Sequence, residues 1–188
     1  MGRKREKTVT APGGSAKEKA LRLLALRQRT VNELREKLLD KGYPAPEVDN
    51  TISNLTERGY LNDELFTRGF IQSRIVDRRW GRIKIAFELG KKGVARETIE
   101  SILNEFEGSL EVRGAKEALE KWAKKNNLKP PLKKDTLQRA MRHLMGRGFP
   151  FTVIQSALKD PLKDTMENPA NNLADNPADN LDCLGEEE

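Results

Sequence analysis

The sequence predicts an all-α protein, an elongated stack of three tandem three-helix repeats. Three observations predict it. One helical pattern recurs three times along the 188 residues, a glycine falls at the same place in each copy, and the composition suits a slender helical body. Hydrophobic residues make up 36% of the chain, charged residues 34% and aromatics only 5%. That is enough for thin cores but not for one large globular core.

Three segments carry the repeat: TVNELREKLLDKGYPAPEVDNTI from Thr30, GRIKIAFELGKKGVARETIESIL from Gly81 and DTLQRAMRHLMGRGFPFTVIQSAL from Asp135. Leu38, Leu89 and Leu144 share a column, as do Gly42, Gly93 and Gly148, each preceded by Lys41, Lys92 or Arg147. Val48, Ile99 and Ile154 form a third column, and Ile52, Leu103 and Leu158 a fourth. Self-similarity at this period marks stacked supersecondary units, each too small to be stable alone.

Each copy reads as two helices. Val31, Leu34 and Leu38 recur at i, i+3 and i+7, the buried stripe of an amphipathic helix. Thr30 and Glu33 have the Thr-x-x-Glu spacing of a capping box. Gly42 ends that helix, because a left-handed residue at its C-terminus favours glycine, and the preceding base complements the helix dipole. Pro46 suits the first turn of the next helix, whose stripe is Val48, Ile52 and Leu55. A further helix precedes each pair: Ala16 to Arg27, Asp63 to Arg79 and Leu110 to Lys125. Pro130 and Pro131, within NNLKPPLKK, forbid helix and break the third unit. The expected units are therefore residues 16–62, 63–108 and 109–160. Residues 1–15 are expected to be a disordered basic arm. Residues 161–188, with NPANNLAD followed by NPADNLD, are expected to be a disordered acidic tail that cannot bury enough to offset its ordering entropy.

The net charge of +6 conceals an asymmetry. From Asp160 onward there are nine acids and one base, Lys163, giving −8, so residues 1–159 carry +14. A body this basic attracts nucleic acid or acidic protein surfaces, with a merely solvated surface as the bland alternative. No run is long enough for a membrane span and the first residues lack the apolar stretch of a signal peptide. The sole cysteine, Cys183, suits a reducing compartment, so a cytoplasmic setting is expected.

Catalytic and metal-binding patterns are not found. His143 is the only histidine and reads as a surface or boundary residue. The carboxylates alternate with Lys and Arg as surface pairs do. The repeated glycines are helix stops, and GKKGVARET lacks the Gly-Lys-Ser/Thr ending of a phosphate loop. No enzyme activity and no cofactor are expected.

The segment from Leu21 to Leu103 resembles the RecX family. The resemblance is carried by LLALRQRTVNELREKLLDKG, by VDNTISNLTERGYLNDELFTRGFIQSR and by WGRIKIAFELGKKGV. Its most specific part is Gly59-Tyr60-Leu61-Asn62-Asp63 followed by Phe66 and Phe70, with Trp80-Gly81 and Leu89 to Gly93 in the second unit. The third unit matches more loosely, up to Lys159, and departs at its proline loop and at Phe149-Pro150-Phe151. The resemblance implies a non-enzymatic regulator that binds RecA and its nucleoprotein filament, lies along the filament groove and in most cases restrains it. It says nothing about the acidic tail.

A basic helical stack is compatible with that role. The residues expected to contact RecA or DNA phosphates are Arg74, Arg78, Arg79, Arg82 and Lys84, placed around the first junction between units. Lys91, Lys92 and Arg96 follow, then Lys133, Lys134, Arg139, Arg142 and Arg147. Phe70 and Trp80 are candidate stacking platforms for single-stranded bases, though their position near the helix stripe favours a core role. Tyr60 is read as structural, its hydroxyl seeking Asp63 or the turn backbone. Two alternatives stand beside the RecA regulator: an autonomous helical DNA-binding module, and a structural adaptor whose charge is incidental. The partners expected are RecA, its filament and single- or double-stranded DNA, with the chain a monomer.

Overall fold

A computed structural model describes residues 13–106, 108–128 and 133–166, with side chains as far as Lys159. Among the described residues it holds nine α-helices and no strand. The first repeat is α1 (Ala16–Leu26), α2 (Val31–Leu39) and α3 (Ala45–Glu57). The second is α4 (Asp63–Val76), α5 (Arg82–Lys91) and α6 (Arg96–Glu105). The third is α7 (Gly108–Lys125), α8 (Lys134–Gly146) and α9 (Phe151–Met166).

Each repeat closes around its own core. The first core gathers Ala16, Ala20, Leu34, Leu38, Val48 and Leu55. The second gathers Phe66, Ile71, Ile85, Leu89, Ile99 and Leu103. The third gathers Ala115, Leu119, Leu144, Phe149, Ile154 and Leu158. The repeat columns are thus core columns: Leu38, Leu89 and Leu144 have no exposed surface at all. Each core is small, so the joints between repeats decide whether the stack is one body.

Those joints run through helix ends. At the first, the Thr30 hydroxyl donates to the carbonyl of Lys92 at 2.6 Å, and the Val31 amide donates to the Asp63 carboxylate at 2.9 Å. At the second, the Gly81 amide donates to the Arg147 carbonyl at 2.9 Å, the Ile83 amide to Gly148 at 3.1 Å and the Arg82 amide to the Glu111 carboxylate at 2.9 Å. The two joints follow one plan. The C-terminus of α8 meets the N-terminus of α5, and the C-terminus of α5 meets the N-terminus of α2. Free carbonyls at one helix end are satisfied by donors at the start of the next, a hydroxyl in the first joint and amides in the second, with dipoles aligned head to tail. In each joint an acid from the first helix of the following repeat, Asp63 or Glu111, takes the first amide of the earlier helix.

The glycines therefore do two things. Gly93 and Gly148 adopt φ of +76° and +82°, as expected of helix stops. A Cβ on Gly148 would also lie 2.4 Å from the Lys84 backbone nitrogen, one on Gly93 2.3 Å from the Asn32 Cβ, and one on Gly81 2.2 Å from the Gly148 carbonyl oxygen.

Several local expectations need correction. Helix α4 stops at Val76 rather than Arg79. Arg79 takes a left-handed φ of +51° and the Trp80 amide turns back to the Arg74 carbonyl. The capping box is half formed: Thr30 accepts from the Glu33 amide, but the Glu33 carboxylate turns to Arg27 and Lys92, at 3.0 and 2.5 Å. Tyr60 is 62% exposed, so its hydroxyl needs no buried partner, and Asp63 serves Val31 instead. The backbone of α9 continues to Met166, past the expected boundary at 160. The Leu158 and Leu162 spacing of four carries the helical period across it. The expected basic arm, except Gly13 to Ser15, the proline pair and the tail from Glu167 lie outside the described residues.

Gly59 also has a positive φ, +74°, but a Cβ there would meet nothing within 4 Å. Gly59→Ala is therefore expected to cost only the backbone term, about 1 kcal/mol. Gly148→Ala must in addition part the second joint, and a loss of roughly 3 kcal/mol or more is expected. Urea unfolding of the two variants checks this; equal losses would refute the close-approach role.

Candidate functional site: a basic groove between the second and third repeats

The connector from α4 to α5 forms one wall of the site. After Val76 the chain reverses at Arg79, and the Arg78 carbonyl accepts from the Arg147 guanidinium at 2.7 Å. This ties the connector to the last turn of α8. Trp80 lies between two cations, Arg74 at 5.5 Å and Lys84 at 4.8 Å from its ring centroid. With its surface so taken and its body packed on the second core, Trp80 acts as a buttress that fixes Lys84. Phe70 packs on the same core and carries Arg74 at 4.4 Å.

The opposite wall comes from α7 and α8. An open groove of about 580 Å³ runs between Asp77, Arg78, Arg79, Trp80 and Lys84 on one side and Ala118, Lys121, Arg142, His143, Gly146 and Arg147 on the other. Six cationic side chains line it against one acid, Asp77. Arg79 is held by Glu117 at 2.8 Å. Arg78, Lys121 and Arg142 are exposed, so their charges remain available to an anion. Mutual repulsion among such cations is relieved when a polyanion enters, and guanidinium groups suit phosphate oxygens in particular.

His143 stands at the base of the groove. It stacks on Trp122 with centroids 5.7 Å apart, and its Nε2 accepts from the Arg147 Nε at 3.1 Å. Burial, and then the charge of Arg147, hold its pKa below the ordinary 6.5. The neutral ring is thus an acceptor that positions Arg147. Among the described residues no cluster of three or more His, Cys, Asp or Glu could hold a metal. No described helix is long and apolar enough to cross a membrane.

Comparison with known proteins matches all three units. Residues 16–55 fit the RecX first three-helix domain, residues 62–103 the second and residues 115–158 the third. The chain belongs to the RecX family. A "Regulatory protein RecX" from Pelodictyon phaeoclathratiforme is 39% identical over 150 residues, covering 79% of this chain and 89% of the relative. One from Legionella pneumophila is 32% identical over 143 residues, covering 76% and 92%. The crystal structure of RecX from Lactobacillus salivarius superposes with a TM-score of 0.71 at 20% identity, over 79% of this chain and 95% of that one. A second structure, of a regulatory protein RecX, gives 0.69 at 21% identity, over 77% and 71%. The curated RecX relatives are named as regulatory proteins, and the fold is theirs.

The structure sorts the expected contact residues. Arg78, Arg79, Lys84, Arg142 and Arg147 meet in the groove, at the second junction rather than the first. Arg74 lies behind it against Phe70 and Trp80. Arg82 turns away, donating to the Leu103 carbonyl at 3.2 Å with its Nε 3.6 Å from Glu111. Lys92 serves the first junction through Glu33, where its hydrogen bond and that of Arg27 outweigh burial and hold the Glu33 pKa down. Lys91 pairs with Glu88 at 3.6 Å and Arg96 with Glu100 at 2.6 Å, each on its own helix. Lys133 and Lys134 are exposed at the start of α8, and Arg139 lies 6.0 Å over Trp122.

Two features escaped the sequence reading. Lys121 was not among the expected contact residues; Glu117, one turn before it on α7, takes Arg79 and leaves Lys121 unpaired among the described residues. Ile83 and Phe87 are 58% and 61% exposed, one turn apart on α5. Their repeat columns hold Asn32 and Glu36 in the first copy and Gln138 and Arg142 in the third. An apolar pair in one copy, where the others are polar, is the signal that could have found it.

The depressed His143 pKa fixes the sign of a pH effect. Stability from the neutral ring is present above 6.5 and lost as pH falls through the lower folded value. The urea midpoint is therefore expected to fall as pH drops from about 6.5 through the lower folded value, and His143→Gln should flatten the fall. An identical slope in both proteins would exclude His143 as its source.

Proposed function

We propose that the chain is a RecX-type regulator that binds RecA and RecA–DNA filaments and restrains them in recombination, DNA repair and the SOS response. It acts in the cytoplasm, as a monomer, without a cofactor. The observation that carries the reading is the groove. It gathers six cations from two repeats at one junction, on a scaffold whose family members are named as regulators. Such a groove can hold successive backbone phosphates of the filament's DNA without reading their sequence. The exposed Ile83 and Phe87, flanked in sequence by Lys84 and by the Glu88–Lys91 pair, offer an apolar contact to the protein part of the filament.

The autonomous DNA-binding module fits less well. A helix-turn-helix reader lays its last helix in the major groove. Here α3 has Glu47, Asp49 and Glu57 and no base, and α6 has Glu97, Glu100 and Glu105 against Arg96. Helices so acidic repel DNA, so the last helices of the first two repeats are poor readers, which favours a regulator that touches DNA through a joint.

The test is a titration into the single-stranded-DNA-dependent ATPase of RecA. Substoichiometric protein is expected to slow it, and Lys121→Glu with Arg142→Glu should need roughly tenfold more protein for the same effect, since each lost phosphate contact also weakens the salt dependence. Binding to DNA alone is measured in parallel. No effect on the ATPase at any ratio, with folding intact, rejects the proposal. Tight binding to one DNA sequence without RecA would favour the module instead.

A further inference from the structure

The groove fits a polyanion, and one polyanion is attached to the protein. Beyond Met166 the chain has seven acids, Glu167, Asp175, Asp179, Asp182 and Glu186 to Glu188, and no base. We propose that the groove is also an acidic-peptide site, and that in the free protein its occupant is this chain's own segment 167–188, which competes there with nucleic acid. The competition rests on the reading of the groove as a DNA contact; the docking itself does not.

Charge complementarity is local as well as global. Arg78, Lys121 and Arg142 line the groove, are exposed, and show no ion pair to a described residue. Several other basic side chains on the body are neutralised: Arg35 by Asp49, Arg68 by Glu64 and Glu105, and Arg96 by Glu100. At those positions an acidic peptide would have to displace a carboxylate; in the groove, where six cations gather from two repeats, it displaces water and small ions.

The geometry of the tether permits it. Helix α9 begins four residues after Arg147 and has 16 residues, so it is about 24 Å long. Its far end therefore lies within roughly 30 Å of the groove. The nine residues from Met166 to Asp175 span up to about 30 Å when extended, and the whole segment about 70 Å. Every acid from Asp175 onward can reach the groove. A tether of this length presents its charges at an effective concentration on the order of 1 mM. A docking constant near 0.1 mM, modest for several charge-assisted contacts, would then weaken an outside ligand about tenfold. The contact should fade as salt shortens the screening length.

Cys183 is the only cysteine in the chain and lies within the segment, so a thiol-directed photo-crosslinker reports where the segment rests. At about 20 mM salt the label is expected to capture peptides containing Arg78 to Lys84, Lys121 or Arg142 to Arg147. Capture should be lost at about 0.5 M salt. A second protein, with the seven acids changed to their amides in the full chain, is expected to bind a single-stranded thymidine oligonucleotide about tenfold more tightly at low salt. That gain should vanish in the Lys121→Glu, Arg142→Glu background. Labels spread evenly over the body, or none on the groove, overturn the docking. Capture at the groove with unchanged oligonucleotide affinity in the amide protein overturns the competition. If Lys121→Glu with Arg142→Glu binds the oligonucleotide as the original chain does, the DNA reading of the groove falls, while the crosslink still decides the docking.

Discussion

The structure depends on the meeting of helix ends. A short amphipathic helix leaves four amides and four carbonyls without intrahelical partners. This chain satisfies part of that demand by setting α8, α5 and α2 end to end. The Arg147 and Gly148 carbonyls receive amides of α5, and the Lys92 carbonyl receives the Thr30 hydroxyl. Such bonds form only if two backbones approach to contact, which is why Gly81, Gly93 and Gly148 have no room for a side chain. Three thin cores that could not stand alone become one body through two polar joints and little shared apolar surface.

The groove is a by-product of the second joint. To bring Gly81 onto Gly148, the connector from α4 must reverse at Arg79 and lay Arg78 and Trp80 beside the last turn of α8. The bases at the C-terminal end of α8 then face those of the connector and of the first turn of α5. Neither set would make a site alone. The acids that neutralise the remainder are equally positional: Glu117 removes Arg79 from the free charges and Glu111 draws Arg82 to the other side. One structural device therefore sets both the coupling of the repeats and the place where six cations gather.

The repeat was legible in the sequence because its causes are local. Apolar spacing, the Thr30 cap and the left-handed glycines act within a few residues, and Leu38, Leu89 and Leu144 are buried where the period places them. The joints were not legible, since they pair residues 62 or 69 apart, as Thr30 with Lys92 and Arg147 with Arg78. A glycine that stops a helix and a glycine that admits a neighbour look alike in one dimension. The basic groove was therefore half visible. Its residue types could be named, but Arg82 and Lys92 were included although each is drawn off by an acid from another helix, and Lys121 was omitted although Glu117 beside it turns to Arg79. Arg79 shows the same limit at short range. Periodicity carried α4 three residues too far, and only the pull of the joint makes its left-handed turn worthwhile.

A joint that can be made twice could be made indefinitely, and a row of identical couplings is how helical repeat proteins lengthen and how chains with complementary ends polymerise. This chain forecloses that at one end. Thr30 and Gly81 are N-caps, and the matching residue of the third copy is Thr136, yet α8 begins earlier, at Lys134. The extra turn, with exposed Lys133 and Lys134, stands where a further helix end would have to seat. It puts positive charge at the positive pole of the dipole. The row thus has a direction and a terminus: its length is written into where one helix starts.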